Sequence, residues 1–200
     1  MSFHARDEAK AMVTGVMKGP LKAAGFRKRA MKWSRGHGDV TQLVHVQFNR
    51  YTDWERATFA VNLGVFHPAF YEARHGRTPP ALTALSPGHC EPSIRLGRLH
   101  TGDDHWWKIE RGVAMGPVAR DFAAAFEAHA LKWLVRFSTM EDIYDEMIRQ
   151  QRHFDAAMAA RVLERDNVPE LLELALEHAP HDNFADFVRR WMAENGFGGA

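Results

Sequence analysis

Apolar residues recur along this chain in two rhythms, and the rhythm changes near Arg111. Ahead of that point one opening stripe at helical spacing gives way to alternation with a period of two. Beyond it the spacing is helical throughout. The stripe Ala9, Met12, Val13, Val16 and Met17 predicts a helix over Ala5–Lys18. Gly19-Pro20 interrupts it, and Leu21–Ala24 adds a last turn before Gly25. Phe26–Arg35 follows as one basic strand ending in the Gly36-His37-Gly38 turn. Its arginines and lysines on both faces are those of a defended sheet edge. Val40–Arg50 predicts the next strand, with Val44, Val46 and Phe48 facing one way and Leu43, His45, Gln47 and Asn49 the other. Thr58–Phe66 sets Phe59, Val61, Leu63 and Val65 against Thr58, Ala60, Asn62 and Gly64. The short YTDWER connection makes these two strands an antiparallel hairpin.

His67-Pro68 ends that strand, and Pro68–His75 reads as a short helix. Arg77–Pro92, rich in proline, glycine and serine, is expected to be a surface loop of the length that often carries function. Ser93–Leu99 and His105–Glu110 predict two further short strands around the His100–Asp104 turn. Val118, Phe122, Phe126, Ala130, Trp133 and Phe137 then mark a helix over Pro117–Phe137, with Pro117 in its first turn. Ser138 to Glu141 fits a capping box for a helix reaching Gln150. Helical patterns also cover His153–Glu164, Val168–His178 and Phe184–Glu194, with Asn183 as N-cap and Gly196 as stop. The expected fold is α+β: a mainly antiparallel sheet of about four to six strands, with the opening helix and the Pro117–Phe137 helix packed on one face. Residues 1–137 form this core. Residues 138–200 form a C-terminal helical extension that packs on it and is not an independent domain.

Composition changes this picture little. The 46% of hydrophobic residues in a chain of 200 suffice for a sizeable core, and a charged fraction of 26% is ordinary for a globular protein. The net charge of +1 gives no reason to expect a polyanion as partner. Its distribution is uneven, however. Met1–Arg35 holds nine basic and two acidic residues, a net of +7, and Thr139–Asp186 holds four basic and twelve acidic, a net of −8. The two ends either attract one another or solvate their own faces; a nucleic-acid footprint would need the basic residues gathered on one surface. A single cysteine, Cys90, excludes an internal disulfide and fits a reducing compartment. No apolar leader or run long enough to span a bilayer is seen, so a cytoplasmic location without membrane attachment is expected.

No catalytic signature is present: no glycine-rich phosphate loop, HExxH, CxxC or GxSxG. The best candidate site is the polar face of the central strands. His45, Gln47 and Asn49 alternate on one strand, Asn62 faces them from the next, and Arg95 and Trp106 join from later strands. One titratable ring, several amides, a guanidinium and an indole are components of a ligand or peptide site. A one-sided antiparallel sheet also turns polar residues to water for no functional reason. The histidines His67, His75, His89, His100 and His105, beside Cys90, Asp103 and Asp104, match no metal-ligand spacing, so neither metal nor cofactor is expected. Of the pair Trp106-Trp107, one indole is expected in the core and the other partly exposed.

Several of these segments come in a familiar order: PLKAAGFRKRAMKWSR, VTQLVHVQFNR, FAVNLGVFHP, HCEPSIRLGRL and DHWWKI. Over roughly Leu21 to Phe137 the chain resembles a bacterial family known as domain of unknown function 4304. The resemblance rests on the GF-basic-W opening, the VxxQ strand, NLG, C-x4-RLG and the tryptophan pair. It implies a bacterial, cytosolic α+β domain with no assigned activity, and it leaves the helices after Ser138 as an extension. The expected function is a non-catalytic binding module, immunity-like or regulatory, whose partner is another bacterial protein. The alternative is an enzyme or small-ligand receptor using His45, Gln47, Asn49, Asn62 and Arg95, with His45 as its only base near neutral pH, and weak, non-specific nucleic-acid binding is third.

Overall fold

Residues four apart, Ala5, Ala9, Val13, Met17 and Leu21, are wholly buried and hold helix α1 (Ala5–Ala23) on the sheet. The computed structural model describes residues 3–197. The first two residues of the expected core and the last three of the expected extension lie outside the described residues. Helix α1 corrects the expected interruption at Gly19-Pro20. Proline costs the helix a hydrogen bond, but burying Leu21 in the same stripe carries the chain through it to Gly25, whose φ of 82° ends the helix.

Six strands form one antiparallel sheet in the order β1-β2-β3-β4-β5, with β6 on the remaining half of the β4 edge. The single basic strand expected over Phe26–Arg35 is two strands, β1 (Arg27–Arg29) and β2 (Lys32–His37), folded back at Ala30 with φ of 53°. The short β1 is the exposed edge, charged at each of its positions, as the sequence predicts for a defended edge. Strands β3 (Val40–Phe48) and β4 (Arg56–Phe66) form the central hairpin. Helix α2 (Pro68–His75) follows as expected.

The expected strand over Ser93–Leu99 is only β5 (Ser93–Arg95). The chain then winds into α3 (Leu96–Thr101) before β6 (Trp107–Glu110). Leu96 is buried in the main core, a β-carbon on Gly97 would collide with the His105 backbone, and Gly102 closes the helix at φ of 86°. These demands select a tight helical turn over an extended strand.

Helix α4 (Met115–Ala125) continues through one π-helical turn, Phe126–Ala130, into α5 (Leu131–Leu134), stopping three residues short of the expected Phe137. The extension comprises α6 (Met140–Arg149), α7 (His153–Val162), α8 (Val168–Glu177) and α9 (Asp182–Glu194). The cap of α6 sits one residue later than expected, at Thr139 with Asp142. That of α9 is His181, not Asn183. One large hydrophobic core joins α1, a face of the sheet, α4, α5 and residues of all four extension helices. The chain is thus an α+β protein with α1, α4 and α5 on one sheet face, α2 against part of the other, and a C-terminal helical extension.

The opposite sheet face is divided. At one end Leu43, Phe66, Tyr71, Leu85 and Cys90 form a second, smaller core, so α2 and the Arg77–Pro92 loop cover that end. The other end stays uncovered by helices and carries the polar residues of interest.

Candidate functional site

Strand register assembles the site. Across five strands, Arg29, Lys32, His45, Asn62 and Arg95 stand side by side in one row. In the next row Gln47 pairs with Ala60, and Trp106 stands just ahead of β6, which opens at Trp107 opposite Phe59 and not at His105 as expected; its indole joins the strip by lying under the Arg95 guanidinium. Asn49 lies beyond, where its N–H donates to the Thr58 carbonyl at 2.8 Å. The structure therefore gathers all six residues singled out from the sequence (His45, Gln47, Asn49, Asn62, Arg95 and Trp106) on one face.

Their roles differ. Asn62 is buried, and its amide nitrogen donates to Gln47 Oε1 at 3.2 Å, so the two amides orient each other. Asn49 Oδ1 accepts from the Tyr51 N–H at 3.0 Å and is committed to the hairpin turn. Arg95 and Trp106 form one unit with Asp104. The guanidinium lies 4.8 Å over the indole, Asp104 accepts from Arg95, and the indole N–H donates to Asp104 Oδ2 at 3.3 Å. The Arg95 hydrogen bond holds the Asp104 carboxyl below its ordinary pKa.

His45 is the only titratable imidazole in the strip. Burial first, and the Lys32 ammonium second, push its pKa down, so the ring is neutral at physiological pH. Its Nδ1 is buried and has no hydrogen-bond partner. A general base is ordinarily oriented through its second nitrogen, and nothing here orients this one. The neighbouring Lys32 ammonium donates to the Leu85 carbonyl, tying β2 to the covering loop.

The histidines considered for a metal have other occupations. His67 caps α2, accepting from the Phe70 N–H at 3.3 Å; His75 lies on Tyr71; His89 bonds Ser86; His100 and His105 face Asp121. Among the described residues no group of three or more His, Cys, Asp or Glu side chains could hold a metal ion. Cys90 is buried, and burial pushes its thiol up to about 12, which leaves it inert at neutral pH. Trp107 is the core member of the tryptophan pair, stacked on Phe59 at 5.8 Å and donating to Asp121 at 2.8 Å.

One polar residue of consequence was missed from the sequence. Gln42 is fully buried, donates to the carbonyls of Leu134 and Phe137 at 2.7 Å each, and accepts from Arg35 Nε at 2.9 Å. It shares the phase of Val44 and Val46 on β3, so a glutamine on the apolar side of an alternating strand was the available signal.

The charged ends also resolve. Among the described residues, the acidic segment pairs with Arg74, Arg136, Arg149, Arg152, Arg165 and Arg189, and with no side chain of residues 1–35. The basic end is not neutralised by direct pairing with the acidic one. Four of its nine cations, Arg6, Lys10, Arg29 and Lys32, instead line a single cleft of about 390 Å³ beside His45 and Gln47.

The fold is thus that of an α+β domain with one sheet face half covered and a polar strip on the other half. Residues 17–136 match the family described as Domain of unknown function (DUF4304), and the chain belongs to that family. Neither the curated proteins nor the solved structures contain a match to this chain. Two segments of the family resemblance meet in space: Gly64 of NLG lies under Cys90 of C-x4-RLG, and a β-carbon on Gly64 would stand 2.6 Å from that of Cys90. Among the described residues, no helix is long and apolar enough to cross a membrane.

Proposed function

We propose that this protein is a non-catalytic binding module, immunity-like or regulatory, that docks another bacterial protein in the cytoplasm through the open strip of its sheet. The observation that carries this reading is the Arg95–Asp104–Trp106 unit. An arginine and a tryptophan, two side chains favoured where interfaces concentrate their energy, are stacked and held by one carboxylate on a face without a covering helix. Such preorganisation lowers the entropy lost on association. Asn62 and Gln47 extend the strip with mutually fixed amides.

Catalysis is poorly supported by the same residues. His45 lacks an orienting carboxylate, and the single thiol is buried and protonated. The test is a tagged pull-down from nuclease-treated lysate of the source cell, run beside a Trp106→Ala variant. The wild type is expected to retain one stoichiometric protein that the variant loses. Equal retention by both, or none by either, contradicts the reading.

A further inference from the structure

The strip ends, on its β2 side, in a gap. Pairing of β2 with β3 stops at Lys32 and His45; the Val46 N–H still reaches the Met31 carbonyl at 2.9 Å, and no strand lies beside Gln47 and Phe48. In an antiparallel ladder, pairs that exchange hydrogen bonds alternate with pairs that do not. Asn49 donates to Thr58, so His45 and Gln47 turn their backbone groups to β4, and Phe48 turns its N–H and C=O to the gap.

The cleft formed there is lined by Arg6, Lys10, Arg29, Lys32, His45 and Gln47 around Met31 and Phe48, and by no acidic residue. Arg6 lies 5.3 Å over the Phe48 ring. Among the described residues neither Arg6 nor Arg29 makes an ion pair, whereas Lys10 holds Asp7 at 2.9 Å. One further feature, independent of the cations, suits the cleft to an acceptor-rich group: the Gln47 amide has its oxygen engaged by Asn62, leaving its NH₂ as a donor.

We propose that this cleft binds a small molecule bearing a phosphoryl group. Arg6 reaches the gap from the α1 face of the sheet and Arg29, Lys32 and Gln47 from the strip face, so the phosphoryl group sits in the gap itself and the organic part rests on Met31. Guanidinium groups match such oxyanions in a bidentate fashion, and the Phe48 backbone offers a donor and an acceptor to the remainder of the ligand. The site lies at the margin of the proposed docking strip but does not depend on it.

The test is calorimetric titration of the full chain with sodium pyrophosphate at neutral pH and low salt, with sodium sulfate and a short single-stranded oligonucleotide in parallel. Saturable binding with Kd below about 1 mM is expected for pyrophosphate, weakened about tenfold or more when Arg6→Glu and Arg29→Glu are combined. Both residues are exposed, so the double variant keeps its fold. Arg27→Glu, on the same edge strand but outside the cleft, is the control and is expected to change Kd less than about twofold. Sulfate binding as tightly as pyrophosphate assigns the site to oxyanions in general and overturns the phosphoryl assignment. No saturable pyrophosphate binding, an equal loss in Arg27→Glu, or binding of the oligonucleotide alone overturns the site. None of these outcomes bears on the partner lost by Trp106→Ala.

Discussion

Gly64 and Gln42 show how single positions on β3 and β4 set the two sides of this sheet. A β-carbon on Gly64 would meet Cys90 at 2.6 Å in the smaller core, where neither strand nor loop has room to retreat. Gly64→Ala is therefore expected to cost about 1–3 kcal/mol, as overpacking does, read as a lower midpoint in urea. An unchanged midpoint would mean that the loop carrying Cys90 yields. On the other side Gln42 satisfies two carbonyls at the end of α5, a link no alternation rule supplies. The sequence placed His45, Gln47, Asn49, Asn62, Arg95 and Trp106 on one face because period-two alternation and hairpin register are local. It could not show that Asp104 would bind Arg95 and Trp106 together, since that contact depends on α3.

At the scale of elements, strands with strict alternation and helices with long apolar stripes were legible, and irregular connections were not. The β1–β2 hairpin turns at an alanine with positive φ, a position that usually advertises itself through glycine or asparagine. Helix α3 is decided by close backbone approach at Gly97, which a sequence does not display. Helix α2 carries a prediction of its own. His67 at its N-cap and His75 in its last turn, like His45, have pKa values below the ordinary 6.5, with burial the leading cause in each. Asp39 opposes the shift at His67, Arg74 and Arg77 reinforce it at His75, and Asp155 and Glu91 oppose it there.

The unfolded chain therefore takes up protons first as pH falls through about 6.5. The stability these rings confer is complete above that value and declines as pH drops toward their folded pKa values. Protonation of His67 would also remove the acceptor for the Phe70 N–H. The melting temperature is expected to fall between about pH 7 and pH 5, and a His67→Asn variant, which keeps a cap, should fall less. A flat profile in the wild type would contradict this.

For the whole molecule, the extension is fastened by charge as well as by the shared core. Arg74 of α2 binds Asp155 of α7. Arg152 bridges Asp155 at 2.6 Å and Glu91 of the covering loop at 2.7 Å. Asp155 is buried, and removing its carboxylate leaves Arg74 and Arg152 to share Glu91. Asp155→Ala is expected to cost about 1–3 kcal/mol and to loosen α7 to α9 before the sheet, seen as faster amide exchange there. Uniform loss of protection would mean that core and extension unfold as one. The long-range pairing behind this fastening was not legible, because composition showed the acidic segment but not its arginine partners.

The claim at the centre is that the open strip docks a protein through Arg95 and Trp106. Calorimetric titration of the captured partner onto wild type, Arg95→Ala and Trp106→Ala, with a thermal melt of each, tests it most directly. The expected result is a loss of about 2 kcal/mol or more in binding for each variant, with melting temperatures within about 3 °C of wild type. Undiminished binding, or variants that fail to fold, would make these residues structural and contradict the account.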